Sequence, residues 1–287
     1  MTLTAGRADL WVAALAIVAL GLAIAAVVYR ASARAPGWVR NVAVAVLVGL
    51  LLLFGFRLAD SVPMARLLPV TCLPVCGDLA IPLAFPLAAL LLRFPLPLWR
   101  RILLVSLLVM LALGTVLATL LRPTPTCANS WDDNVCLQTQ TATCSAAAAA
   151  TLLHHYGIAA DEEEMARLCL TSGRGTTLHG LFRGLLVKTE GTPYRPRIGT
   201  TTVADLQSSG HLPAIVSVAL TAKTDRQDAR YAKDWGWQIG VSHAVVILAF
   251  TDDDRVLMAD PSVGQEHWNV GGLRDLLVGD CVWLGKR

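Results

Sequence analysis

The chain has 287 residues, of which 55% are hydrophobic and 16% charged, and 24 Lys and Arg against 21 Asp and Glu leave a net charge of +3. Soluble domains carry about a quarter charged residues, so this composition argues against a wholly soluble protein. The positive charge is small and scattered, with lysine only at Lys188, Lys223, Lys233 and Lys286. That excludes the basic, aromatic-studded surface of a nucleic-acid binder.

Charge is scarcest in the first 122 residues, and this part reads as membrane. Leu10 to Tyr29 is long enough to cross a hydrocarbon core, which takes about 20 apolar residues. Val42 to Phe56 is a second run, extended by its flanks to 39–58. A third, 79–98, is weakened by Pro82 and Pro86 and lengthened by the apolar Phe94 to Trp99. Ile102 to Leu121 is the fourth. A cleaved signal peptide would account for the first run alone. Three further runs and no clear small-residue cleavage site favour retained helices.

The turns set the orientation. Arg30, Arg34 and Arg40 lie between the first two spans, and Arg93, Arg100 and Arg101 between the last two. On the other side Arg7, Arg57, Arg66 and Arg122 are diluted by Asp9, Asp60 and Asp78. Arg-rich turns stay in the cytoplasm. The amino terminus and everything after residue 122 are then predicted to face outward, on the periplasmic or extracellular side of a bacterial inner membrane.

All seven cysteines fall on that outer side, where disulfides persist. Cys127 with Cys136, Cys169 with Cys281, and Cys72 with Cys76 are the candidate pairs. Connectivity is not fixed by sequence, and seven unpaired buried thiols remain the alternative. If six do pair, one thiol is left over as a candidate reactive group, and Cys144 is the choice for it.

Arg122-Pro-Thr-Pro125 cannot continue a helix and marks a linker. Residues 123–287 form one domain of ordinary size. Cys144 opens an Ala-rich helix that Gly157 ends. Further helices are expected near Glu162 to Leu170, with Asp161 and Glu164 as a capping box, near Leu178 to Val187, and near Val203 to Gln207. Strands follow at Ala214 to Leu220, Ala244 to Phe250, Arg255 to Ala259 and Cys281 to Leu284, with a turn at Thr251 to Asp254. Helices first and an antiparallel sheet later make the domain α+β. Thr221 to Gly240, polar and aromatic, is a long loop just before His243 and reads either as a cover for a site or as a surface insertion.

Four residues suggest acyl transfer by a thiol. The thiolate is the nucleophile, and the positive end of a helix favours it at Cys144. His243, opening an apolar strand, is placed to pair with the thiol and protonate a leaving amine. Asp260, ending the next strand, would fix the imidazole tautomer. Gln138, six residues before the thiol, can offer an amide to a developing oxyanion, with the Cys144 backbone N–H as second donor.

The run Gln138, Cys144, Ala-rich helix, His155-Tyr-Gly157 resembles the bacteriocin-processing, double-glycine leader peptidases. So do Leu212-Pro-Ala-Ile-Val216, Ser242-His-Ala-Val-Val246 and Asp260-Pro261 after a hairpin. The resemblance covers most of Asn134 to Val263. It implies a papain-like cysteine peptidase fold, with Cys144 the nucleophile, His243 the base, Asp260 its orienter and Gln138 in the oxyanion hole. Two features depart from the pattern. Ser145 follows the thiol where glycine is common. The sequence also has no Gly-rich, Lys-Ser/Thr phosphate-binding loop, whereas fused family members precede an ATP-driven transporter.

The expectation is therefore a multi-pass helical membrane region joined to an α+β cysteine peptidase domain, acting on a peptide or protein, embedded in a lipid bilayer and working beside a separate exporter or other membrane protein. No cofactor is expected. His154, His155, His179, His211 and His267 lack metal-ligand spacing with the cysteines, and Asp252 to Asp254 is too short a set for a calcium loop. Two other functions fit parts of the sequence: a membrane thiol–disulfide oxidoreductase using Cys72 and Cys76, and a peptide binder that keeps the fold without catalysis.

Overall fold

The structure, a computed structural model, describes residues 7–251 and 254–287; of the three turn aspartates, Asp252 and Asp253 lie outside the described residues. It divides into two compact units, Met1–Arg122 and Pro123–Arg287.

The first unit is helical: α1 (Ala8–Ser32), α2 (Gly37–Leu53) continued by one wider turn at Phe54–Leu58, α3 (Val62–Leu67), α4 (Leu73–Cys76), α5 (Ala80–Leu91) and α6 (Leu98–Leu121). Four stretches are long and apolar enough to cross a membrane: Ala8–Ser32, Gly37–Leu58, Leu73–Leu91 and Leu98–Leu121. The third is the inner one, with Ile81, Ala84, Phe85 and Leu90 buried. Gly21 of α1 faces Ile81 and Phe85 so closely that a Cβ would lie 2.8 Å from the Ile81 methyl, the close approach that small residues permit between membrane helices. The third span starts earlier and ends sooner than the expected 79–98. Pro95 and Pro97 lack the amide a helix needs, so 92–97 turns the chain and Pro97 caps α6. Cys72 and Cys76 stand 3.6 Å apart at their sulfurs as free thiols.

The second unit opens with a hairpin, β1 (Ser130–Asp132) and β2 (Val135–Leu137), followed by α7 (Cys144–His155), α8 (Glu162–Leu168) and α9 (Leu178–Lys188). Then come β3 (Tyr194–Thr200), α10 (Val203–Ser209), β4 (Ala214–Ala219), α11 (Ala222–Gln227), α12 (Arg230–Lys233), β5 (Ser242–Phe250), β6 (Arg255–Asp260), β7 (Gly264–Asn269), α13 (Val270–Leu276) and β8 (Leu277–Lys286). The sheet is antiparallel in the order β3-β8-β4-β5-β6-β7. Its core holds Val216, Val218, Val245, Ile247, Val256, Met258 and Leu273.

The Ala run has a packing reason. Ala146 through Ala150, Leu152 and Leu153 are all fully buried, because α7 is enclosed by β2, α8 and β5. Alanine lets these backbones approach and costs little helix propensity. Asp161 caps α8 by accepting from the Glu164 N–H. Glu164 does not close the expected box; its carboxylate meets Lys188 Nζ at 2.6 Å. Thr202 and Asp205 close a full box on α10 instead.

The cysteine pairs expected from composition are not formed. Cys127, Cys136, Cys169 and Cys281 are free thiols. Cys169 is wedged against Gly180 and Gly184 of α9, whereas Cys281 packs in the sheet core. Burial pushes Cys136, Cys169 and Cys281 up to about 12. Burial, followed by the neighbouring Glu162 and Glu163 carboxylates, pushes Cys127 up to about 11.

Overpacking the enclosed helix tests this arrangement. Ala148→Leu should cost about 1–3 kcal/mol, read as a lowered unfolding midpoint in detergent, while Ala148→Gly should cost about 1 kcal/mol.

Candidate active site

Cys144 is the first residue of α7, where the helix presents its unpaired N–H groups and positive end. His243 is the second residue of β5, opposite Val218 of β4. Asp260 ends β6 and sits opposite Gly264 across the turn into β7. Gly264 has φ +96 and abuts the Asp132 side chain, a conformation that favours glycine.

The imidazole and carboxylate are joined. His243 Nε2 lies 2.8 Å from Asp260 Oδ1, with the histidine side chain 11% exposed and the aspartate fully buried. The Ser262 backbone N–H donates to the same Asp260 Oδ1 at 2.7 Å. Ser262 Oγ lies 3.3 Å from His243 Nε2. Asp260 Oδ2 has no partner among the described residues. The indole of Trp237 lies against the imidazole, with ring centroids 4.6 Å apart at 47°.

These contacts set the charges. Burial pulls the His243 imidazole down, but the hydrogen bonds to Asp260 and to the Cys144 sulfur, with both charges, outweigh it and raise the group to about 9. Burial pushes the Cys144 thiol up; the His243 hydrogen bond and charge, the Ala244 N–H and the Ser145 hydroxyl bring it below the ordinary thiol range. Both shifts work in the same direction and favour the thiolate–imidazolium form.

Gln138 follows β2, and its N–H donates to the Pro261 carbonyl at 2.8 Å, which ties it to the turn after Asp260. Its Oε1 is buried with no partner among the described residues. Gln138, Cys144, His243 and Ser262 all line one cleft of about 340 Å³, with Gly173 to Gly175 and Gly236 to Gln238 among its walls. Asp260 stands behind the imidazole, outside the lining.

Sequence reasoning missed two contributors, Glu162 and Ser262. Glu162 is fully buried and accepts from Thr139 N–H at 2.7 Å, Thr139 Oγ1 at 2.7 Å and Thr143 Oγ1 at 2.6 Å. It thus ties down both ends of the segment between Gln138 and Cys144. The run Asp161 to Glu164 reads as helix-start acids, and nothing in it singles out Glu162. Ser262 carried no signal beyond nearness to Asp260, whereas Trp237 belongs to the aromatic loop 221–240, which lines the cleft through Gly236 to Gln238. No group of three or more His, Cys, Asp or Glu placed to hold a metal occurs among the described residues.

An α+β domain with a cysteine at a helix start, facing a histidine backed by a buried aspartate, defines a recognisable class. Residues 132–273, most of the carboxyl-terminal domain, match the model of the Peptidase_C39 like family. No curated protein matches the chain. Solved structures similar to it include a double glycine motif protease from an AMS/PCAT transporter, in complex with the leader peptide, at 17% identity over 53% of this chain and 91% of that one, with a TM-score of 0.41. The peptidase domain of Streptococcus ComA, a bi-functional ABC transporter involved in a quorum sensing pathway, gives 18% identity over 53% and 96%, also at 0.41. That of Streptococcus mutans ComA gives 18% over 53% and 98%, at 0.37.

Glu162→Ala should strand the Thr139 N–H and leave the Thr143 hydroxyl only the Gln140 carbonyl as acceptor, for a loss of about 1–3 kcal/mol in unfolding free energy. The alkylation of Cys144 should slow with it, read by mass spectrometry of the labelled peptide.

Proposed function

We propose that this protein is a membrane-anchored cysteine peptidase that cleaves a peptide bond outside the cytoplasm. The observation that carries the reading is the Asp260–His243 bond of 2.8 Å behind a thiol lowered by the same imidazole.

The reaction follows from the geometry. The Cys144 thiolate attacks the scissile carbonyl carbon, and the carbonyl oxygen takes the negative charge. The Cys144 backbone N–H and the Gln138 side-chain amide hold that oxyanion. As the C–N bond breaks, His243 gives its proton to the leaving amine, and a thioester remains on Cys144. The now neutral imidazole takes a proton from water, whose oxygen attacks the thioester. The carboxylic product leaves, and the thiolate–imidazolium pair returns. Asp260 holds the ring orientation and its charge throughout. The match of residues 132–273 to the Peptidase_C39 like family supports a peptide substrate. The Arg-rich turns at Arg30 to Arg40 and Arg93 to Arg101 support the outward side.

The pH profile follows the two shifts. The reactive pair exists above the lowered Cys144 value and below the raised His243 value of about 9. Activity should therefore fall on the alkaline side through about pH 9, and on the acid side only below the ordinary thiol range. Cys144→Ala should abolish peptide cleavage with an unchanged circular dichroism spectrum. Gln138→Ala should lower kcat roughly 10²-fold or more. Turnover that survives in Cys144→Ala would end this reading. Labelling of Cys144 in intact cells by a membrane-impermeant electrophile tests the side.

A further inference from the structure

The lining of the catalytic cleft is uneven in charge. Its residues are mostly neutral: Gln138, Thr141, Ala142, Trp237, Gln238 and Ser262 among them. Among the described residues, no carboxylate belongs to the lining. Beside the reacting thiol and imidazole, the one ionisable side chain among the described residues of the lining is Arg174, a planar guanidinium.

Arg174 sits at the tip of a tight turn between α8 and α9. Ser172 and Gly175 exchange backbone hydrogen bonds at 3.0 and 2.9 Å. Ser172 Oγ receives the Arg174 N–H at 3.3 Å. Thr171 and Thr176 close the base of the turn through their hydroxyls at 2.7 Å. Gly175 takes φ +99 to complete it. This wiring fixes the backbone of Arg174, while its side chain is exposed and makes no ion pair among the described residues. A cation held at the rim of a cleft with no acid of its own lacks a counter-charge until something brings one.

We propose that Arg174 is a specificity-determining residue that selects peptides carrying a carboxylate close to the scissile bond, whether an acidic side chain or a free carboxyl terminus. This rests on the peptidase reading of the same cleft. A planar guanidinium fork meets a carboxylate through two parallel hydrogen bonds.

The test uses small electrophiles, so no substrate need be known. The full chain in non-ionic detergent is alkylated with iodoacetate or iodoacetamide, and Cys144 is followed by mass spectrometry of its own peptide. The ratio of the two rates removes differences in thiol reactivity, and the neutral reagent reports whether the cleft is intact. Arg174→Ala should lower the iodoacetate-to-iodoacetamide ratio by about fivefold to tenfold, and Arg174→Lys, which keeps the charge but not the planar fork, should fall between wild type and Arg174→Ala. The difference between wild type and Arg174→Ala should shrink as salt rises from about 0.05 to 0.5 M. A ratio that Arg174→Ala leaves within about twofold of wild type, a change well under 1 kcal/mol, would overturn the proposal while leaving the thiolate reading intact. Failure of both reagents to modify Cys144 would overturn both.

Protection of Cys144 from iodoacetamide then separates the two carboxylate sources. Ac-Ala-Ala-Glu-NH2 protecting better than Ac-Ala-Ala-Gln-NH2 assigns the site to acidic side chains. Ac-Ala-Ala-Ala-OH protecting better than its amide assigns it to a free terminus. Equal protection by all four overturns the inference.

Discussion

A carboxylate sealed from water is costly unless its charge is answered. In this domain Asp260 is fully buried, and its answering groups are the His243 imidazole and the Ser262 N–H on one oxygen. The second oxygen has none among the described residues, so the ring carries most of the compensation. That raises the imidazole and in turn lowers the thiol beside it. Charge thus passes from the end of β6 to the start of β5 and then to the start of α7. Each step needs the backbone of its own element held still.

The surrounding fold supplies that stillness by tying the pieces to each other. The Gln138 N–H is bonded to Pro261, directly after Asp260, so the Gln138 side and the Asp260 side of the cleft share a main-chain link. Glu162 binds the intervening segment at both ends through Thr139 and Thr143. The Ala face of α7 lets the helix sink between β2, α8 and β5, which fixes where its first residue points. A bulkier helix would lift the thiol away from β5.

Much of this was legible in the sequence, and the limits are physical. Gln138, Cys144, His243 and Asp260 stand out because each is a chemical group beside a recognisable helix start or strand end. Gln138, Cys144 and His243 line one cleft, and Asp260 is bonded to the imidazole from behind it. The helices α7 to α10 were readable from caps and apolar spacing, although Glu164 preferred Lys188 to its expected box. Strand β3 was not readable: Tyr194-Arg-Pro-Arg197 is polar and holds a proline, tolerated because β3 is an edge strand. Strand β7, Gly264-Gln-Glu-His-Trp-Asn269, is likewise at an edge and mostly polar. The cysteine pairing failed for a different reason. Compartment and parity say nothing about distance, and Cys169 and Cys281 lie in separate packed regions.

The segment 221–240 anchors through its aromatics. Trp237 touches Tyr231, Trp235 and Trp268 on one side and His243 on the other. Protonated imidazole withdraws excitation from an adjoining indole more effectively than the neutral ring does. Of the light emitted by the eight tryptophans, the share from Trp237 should therefore brighten as the histidine loses its proton.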